Sequence, residues 1–317
     1  MRLLLAPELD SPARVGSGAR PVLTVAAVQT RWHEDPAEHR AVLDEGIDRA
    51  VEAGAQIVFL SELTLSRYPA DTIPEGEPSA TAEPLDGGPT HLFAAAAAAR
   101  TGAYVHASLF ERADGPDGLG YNTAILVAPD GSILARTRKL HIPVTAGYHE
   151  ERYFRPGPAE DPYPVVELPV PGGARLGLPT CWDQWFAEVA RAYGLGGAQL
   201  LAYPTAIGSE PDHPDFDTEP LWRQVMIGHA IGNGLFVVAV NRWGSEGLLT
   251  FYGSSFIADP YGRVLAQAPR DEDAVLVAPL DLAQGEDWAA LFPIARTRRP
   301  DTYGLLVEPV GKAAPRG

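Results

Sequence analysis

A single cysteine, Cys181, is the whole of the sulfhydryl chemistry in 317 residues. No intramolecular disulfide can form, so the fold owes nothing to an oxidising compartment and the cytoplasm is the expected location. Basic residues are also scarce, 25 against 41 acidic, for a formal net charge of -16 at pH 7. A nucleic-acid partner is excluded on that ground, because phosphate-backbone binding needs clustered lysine and arginine. Long apolar runs are missing. The opening Met1-Arg-Leu-Leu-Leu-Ala is cut by Pro7, Glu8 and Asp10, well short of the roughly 7 to 15 apolar residues of a secretory signal. No stretch reaches the ~18 apolar residues of a membrane span, so no membrane partner is expected. Of the eight histidines, no two stand at zinc-ligand spacing beside a carboxylate or a second cysteine, so no metal site is expected.

What is present is the composition of a packed globular chain, with 45% hydrophobic and 21% charged residues. Residues 1–20 are rich in Pro, Gly, Ala and Arg without periodicity, and predict a loosely ordered N-terminal arm. From 22 onward the pattern alternates. A buried strand over 23–29 is followed by Asp35-Pro36, an N-cap and N1 proline, and a helix with Leu43, Ile47 and Ala50 on one face. A strand over 56–60 ends at Ser61-Glu62, and the Pro- and Gly-rich stretch 66–90 reads as a long loop. A helix over 91–100, strands over 103–109 and 122–128, and a hairpin partner over 132–135 close the first half. The second half repeats the style. It has a strand into Cys181 and a helix after it, a strand over 199–203, a helix from Glu219 to Ala230, and strands over 235–241, 254–258 and 274–278. That symmetry predicts two layered sheets flanked by helices in one α/β domain spanning 21–317, ending in an aromatic and basic tail over 288–303.

Cys181 falls where an apolar strand gives way to a helix. Unpaired backbone N–H groups and the positive end of the helix dipole there favour a thiolate, although most lone cysteines are simply small buried hydrophobes. A thiol attacking an amide-like carbonyl also needs a proton carrier and a cation or N–H pair for the oxyanion. No histidine recommends itself. Glu62 and Lys139 do, because each follows a strand, and in α/β sheets the crevice outside the carboxyl ends of strands is where ligands bind. Taken singly, either residue is more often a solvated surface charge.

Three motifs, Ser61-Glu-Leu-Thr-Leu-Ser-Arg-Tyr-Pro69, Arg138-Lys-Leu-His-Ile-Pro143 and Cys181-Trp-Asp-Gln-Trp-Phe-Ala-Glu188, occur in an order that resembles the Glu, Lys and Cys motifs of the carbon-nitrogen hydrolase (nitrilase) superfamily. Further matching segments are 150–157, 203–210, Asn241-Arg242, 251–259 and 298–303, and together they resemble one branch, the N-carbamoylputrescine amidohydrolases. The resemblance implies a four-layer αββα sandwich with Cys181 as nucleophile, Glu62 as general base and acid, and Lys139 stabilising the tetrahedral intermediate. It makes Glu150 a second glutamate that orients the lysine and the substrate; Glu151 fits the spacing less well. The Trp182 backbone N–H would complete the oxyanion hole. No cofactor is required. A small amide or ureido substrate and a homodimer or larger homo-oligomer are implied as partners.

The residues after the nucleophile bear on the substrate. Relatives that hydrolyse N-carbamoyl amino acids carry arginine or histidine just after the cysteine, where a substrate carboxylate needs a cationic fork. Gln184 and Trp185 stand there instead, which disfavours a free carboxylate and allows an apolar or a cationic chain. Asp183, Glu188, Asp212, Asp215, Asp217 and Glu219 are the carboxylates considered for a distal ammonium. Tyr68, Trp182, Trp185 and Trp222 are candidates for an apolar wall, with Thr205 as a further substrate contact. Hydrolysis of N-carbamoylputrescine to putrescine, carbon dioxide and ammonia is the leading expectation. An aliphatic ω-amidase or a nitrilase would use the same residues, and a catalytically silent ligand-binding protein would keep the same fold.

Overall fold

A computed structural model describes residues 1–309, so positions 310–317 of the expected 21–317 unit lie outside the described residues. The strands in chain order are β1 (Arg2–Leu5), β2 (Val22–Gln29), β3 (Ile57–Phe59), β4 (Tyr104–Glu111), β5 (Tyr121–Val127), β6 (Ile133–Arg138), β7 (Val165–Leu168) and β8 (Ala174–Gly177). They continue with β9 (Leu200–Pro204), β10 (Phe236–Val240), β11 (Trp243–Glu246), β12 (Leu249–Tyr252), β13 (Phe256–Ala258), β14 (Val264–Gln267) and β15 (Ala274–Asp281). The α-helices are α1 (Pro36–Glu52), α2 (Pro89–Thr101), α3 (Ala187–Leu195), α4 (Glu219–Asn233) and α5 (Gln284–Leu291).

Two sheets hold most of the strands, one in the order β1-β15-β2-β3-β4-β5-β6 and the other β14-β13-β10-β9-β8-β7. Alternation along each strand sends one set of side chains between the sheets and the other onto a helix layer. Val25, Ile57, Phe59, Leu176, Leu200, Val238 and Leu276 meet between the sheets. Ala26, Val28, Val58 and Val105 face Leu43 and Ile47 of α1 and Phe93 and Ala97 of α2. On the other side Leu201, Val237 and Phe256 face Val189 and Ala190 of α3 and Trp222 and Met226 of α4. The layers are therefore helix, sheet, sheet, helix, the αββα sandwich that the motif resemblance implies. Asp35 caps α1 as its sequence predicts, accepting the Ala37 N–H at 2.9 Å beside Pro36 in the first turn.

Two expectations need correction. Residues 2–5 are not part of a loose arm: β1 pairs in parallel with β15, Arg2 opposite Ala274, at the edge of the larger sheet. Its partner lies at the far end of the chain, which local composition cannot reveal. The helix after Cys181 is also broken. A 3-10 turn, Cys181–Trp185, stops at Phe186, which has extended backbone, before α3 begins.

His106 on β4 is fully buried against Phe59, and neither ring nitrogen has a hydrogen-bond partner. Burial without a partner holds its pKa down at about 3. The unfolded chain therefore takes that proton first, so the contribution of neutral His106 is complete above its ordinary value of about 6.5 and is lost as pH falls toward about 3. At pH 5 the loss from this residue is about 2 kcal/mol. Urea unfolding of wild type and His106→Leu at pH 7.5 and pH 5 should show a smaller acid penalty in the variant; equal penalties would remove His106 as its source.

Candidate active site

Three catalytic candidates come from three strand ends. Glu62 follows β3, Lys139 follows β6 with its N–H on the Asn122 carbonyl at 2.8 Å, and Cys181 lies four residues past β8. Cys181 has φ 42°, a left-handed conformation unusual for a side-chain-bearing residue, at the first position of the 3-10 turn after extended Thr180. Glu150 is supplied by a separate 3-10 turn, Glu150–Arg152.

The four side chains meet. Lys139 Nζ lies 3.1 Å from Glu62 Oε1 and 2.6 Å from Glu150 Oε2. One carboxylate oxygen each of Glu62 and Glu150, and the Cys181 sulfur, lie within 4.8 Å of one another. Glu62 Oε1 also accepts from Asn122 Nδ2 at 2.7 Å, while Oε2 is buried with no hydrogen-bond partner. Tyr68 donates its hydroxyl to Glu150 Oε1 at 2.8 Å. Glu151, by contrast, pairs with Arg152 and is not part of this group. The Lys139 ammonium bridges both carboxylates and supplies the positive charge at this group.

Electrostatics set the resting protonation. Burial pushes the Cys181 thiol well above its usual range, Glu62 pushes it further, and Lys139 opposes both. The proton therefore rests on sulfur, contrary to the thiolate expected from a helix start; a dry site beside a carboxylate outweighs a short 3-10 turn. Burial works to lower the Lys139 pKa, but Cys181, Glu150 and Glu62 together raise it, so the side chain stays cationic. Burial also raises Glu150, against the pull of Lys139.

A cavity of about 280 Å³ opens onto Cys181 and Glu150. Trp182 and Trp185 form part of its wall, with ring centroids 6.2 Å apart. Other expected contacts lie elsewhere. Tyr68 and Trp222 are fully buried; Trp222 donates to Gln184 Oε1 at 2.8 Å and packs on Phe256 as core. Thr205 points to Gln184 Oε1 and the Tyr203 carbonyl, not to the cavity. Asp183 is buried and holds backbone: it accepts from the N–H of Thr180 at 3.2 Å, the N–H of His141 at 3.0 Å and His141 Nδ1 at 2.7 Å. One carboxylate thus ties the segment after Lys139 to the segment before Cys181. Its spacing, Thr180-x-x-Asp183, is that of a helix capping box and was the legible signal.

None of the six acidic residues considered for a distal ammonium lines this cavity. Glu188, Asp212 and Asp215 are exposed, while Asp217 pairs with Arg270 and Glu219 with Arg223. The carboxylate that does line it is Glu210, beside His213, Phe216 and Thr218. Burial raises the Glu210 pKa, opposed by His213 and by a hydrogen bond from Thr218. No lysine or arginine is among the described residues that line the cavity.

Comparison with known proteins defines the class first. Residues 24–290 match the family model described as carbon-nitrogen hydrolase, and the chain belongs to that family of enzymes. Among curated relatives, a citrullinase of Francisella tularensis is 38% identical over 290 residues, covering 90% of this chain and 98% of its own. The N-carbamoylputrescine amidase of Solanum lycopersicum is 38% identical over 294 residues, covering 90% and 95%. An ω-amidase of Xenopus tropicalis is more distant at 31%, covering 82% and 88%. Among solved structures, a carbon-nitrogen hydrolase of Helicobacter pylori superposes with TM-score 0.78 at 30% identity, covering 91% of this chain and 99% of the other.

Proposed function

We propose that this enzyme hydrolyses an N-carbamoyl amine whose far end is a cation, with N-carbamoylputrescine as the leading substrate. Glu62 takes the proton from Cys181 through its free Oε2 as sulfur attacks the ureido carbonyl carbon. The resulting oxyanion is held by the Lys139 ammonium and the Trp182 N–H. Glu62 then returns the proton to the departing nitrogen as the C–N bond breaks, leaving the carbonyl carbon on sulfur. Water gives a proton to Glu62 and adds to that carbon, and the C–S bond breaks as sulfur recovers the proton. The carbamate released decomposes to carbon dioxide and the remaining amine or ammonia. Glu150 orients Lys139 and stays on the Tyr68 hydroxyl.

One observation carries the substrate choice: Glu210 lines the same cavity as the nucleophile, and among the described residues no lysine or arginine does so. A distal ammonium gains a half-buried counter-ion there, whereas a distal carboxylate would meet a like charge. Ammonia release across a panel of N-carbamoylputrescine, citrulline, an N-carbamoyl amino acid and an aliphatic amide tests this. The first should have the highest kcat/KM, and a preference for any carboxylate-bearing compound would refute the reading. Glu210→Gln should raise KM for N-carbamoylputrescine about 10-fold with kcat little changed, the loss of one half-buried charge-assisted contact. In wild type the same KM should rise as pH falls, because burial raises the Glu210 pKa and its protonation removes the counter-charge. A KM equal in the variant and flat with pH would place the ammonium elsewhere.

Residues 21 onward act as one catalytic unit in the cytoplasm, in keeping with a single free cysteine. Homo-oligomer formation is favoured by exposed apolar side chains near the C-terminus, Leu291, Phe292, Leu305 and Leu306 among them.

A further inference from the structure

The turn that carries Glu62 is held from behind by a buried ion pair that touches no part of the cavity. Arg242 follows β10, and its guanidinium is 2% exposed. One terminal nitrogen donates to the Glu62 carbonyl at 2.6 Å, the Leu63 carbonyl at 3.1 Å and the Ser66 carbonyl at 3.2 Å. The other donates to both carboxylate oxygens of Glu246, at 2.7 and 2.9 Å. Glu246 Oε2 in turn accepts the Tyr68 N–H at 2.8 Å, and Tyr68 is the residue whose hydroxyl holds Glu150. Glu246 of β11 thus reaches Glu62 through Arg242 and Glu150 through Tyr68.

Leu63 has φ 48°, a left-handed conformation that a branched side chain adopts only when its surroundings impose it. It directs the Glu62 and Leu63 carbonyls onto the same guanidinium nitrogen. The Glu62 side chain itself is gripped at one oxygen only, by Asn122 and Lys139, with Oε2 left free. The aim of that free oxygen is therefore set by the backbone, and Arg242 fixes the backbone. Asn241 anchors the device in turn: its side chain accepts from Arg242 N at 3.0 Å and from Ile207 N at 3.1 Å.

We propose that Arg242, locked by Glu246, is a positioning residue that holds the strained Glu62–Leu63 turn so that the Glu62 carboxylate faces Cys181. The proposal rests on Glu62 being the base. A lysine keeps the charge but lacks the planar fork that reaches the carbonyls and the carboxylate together.

The test compares Arg242→Lys in wild-type and Glu62→Gln backgrounds, by turnover of N-carbamoylputrescine and by the rate of Cys181 alkylation with iodoacetamide, which needs no knowledge of the substrate. In the wild-type background kcat and the alkylation rate should fall about 100-fold with KM within about threefold. In the Glu62→Gln background the same replacement should slow alkylation by less than about threefold, since the group it positions is already gone. Equal factors in both backgrounds, or no effect in either, would overturn the proposal. If Arg242→Lys does not fold, Glu246→Gln carries the identical comparison. Should Glu62→Gln alone leave alkylation and turnover unchanged, the base role itself fails and the proposal falls with it, an outcome separable from failure of the arginine.

Discussion

Cys181→Ala will release no ammonia above background, a loss of at least about 10⁴-fold, while the fold stays intact. The size of the loss follows from covalent chemistry, because removing a nucleophile removes the step and not one contact among many. Stability should change little, since alanine keeps the Cβ and loses one buried sulfur, about 1 kcal/mol. Cys181→Ser should rescue little, because a hydroxyl is far less acidic than even a buried thiol and Glu62 has no other base to help it. The variant also has no thiol at all, so iodoacetamide labelling should fall from one equivalent to none. Ammonia assays and thermal unfolding of both variants check this; turnover within tenfold of wild type in either would contradict it.

Lys139→Met will be nearly as damaging to turnover and, unlike the cysteine change, will weaken the fold. The ammonium sits between two carboxylates, and all three side chains are at most 1% exposed. Methionine fills the stem volume but leaves Glu62 and Glu150 buried without a cation, a loss of about 3 to 5 kcal/mol. The oxyanion loses its charged partner as well, which should lower kcat by about 10³-fold. The pH dependence gives a sharper sign. Without Lys139 the opposition to burial at Glu150 disappears, so its folded pKa rises further. A group whose folded pKa is raised contributes stability below its unfolded pKa and loses it as pH rises through the folded value. The stability gap between wild type and Lys139→Met should therefore be wider at pH 8 than at pH 5.5. Urea unfolding at the two pH values measures it, and a gap that widens toward acid would contradict the arrangement.

Much of this site was legible because its residues sit in motifs at strand ends. Glu62, Lys139, Glu150 and Cys181 were all picked from the sequence, and all four meet around the Lys139 ammonium. The central strands of the two sheets and α1 to α4 were legible for a related reason, since buried strands and amphipathic helices write their periodicity locally; the edge strands β7 and β14, only partly buried, were not. What escaped depends on distant partners. β1 is four residues long, and only its pairing with β15 makes it a strand. The β11–β12 hairpin buries one face against the loop that carries Tyr68 and Asp71, and Gly247 at its tip has φ 61° with the Asp71 carboxylate where a Cβ would be. Its role cannot be read without that loop in place. Asp183 misled because an acidic residue two places after a nucleophile looks like a substrate contact; burial shows it satisfying backbone N–H groups. Glu210 was passed over among the many carboxylates of an exposed loop, and only the cavity distinguishes it from Asp212 and Asp215.

Purified full-length enzyme supplied with N-carbamoylputrescine provides the most direct test, with ammonia and free amine followed together. Wild type should release the two in equal amounts, and Glu62→Gln should release neither, with Cys181 alkylated about 100-fold more slowly but still to one equivalent. Release at the wild-type rate by Glu62→Gln, or none by wild type from any ureido, amide or nitrile compound, would contradict a hydrolase built on the meeting of Glu62, Lys139 and Cys181.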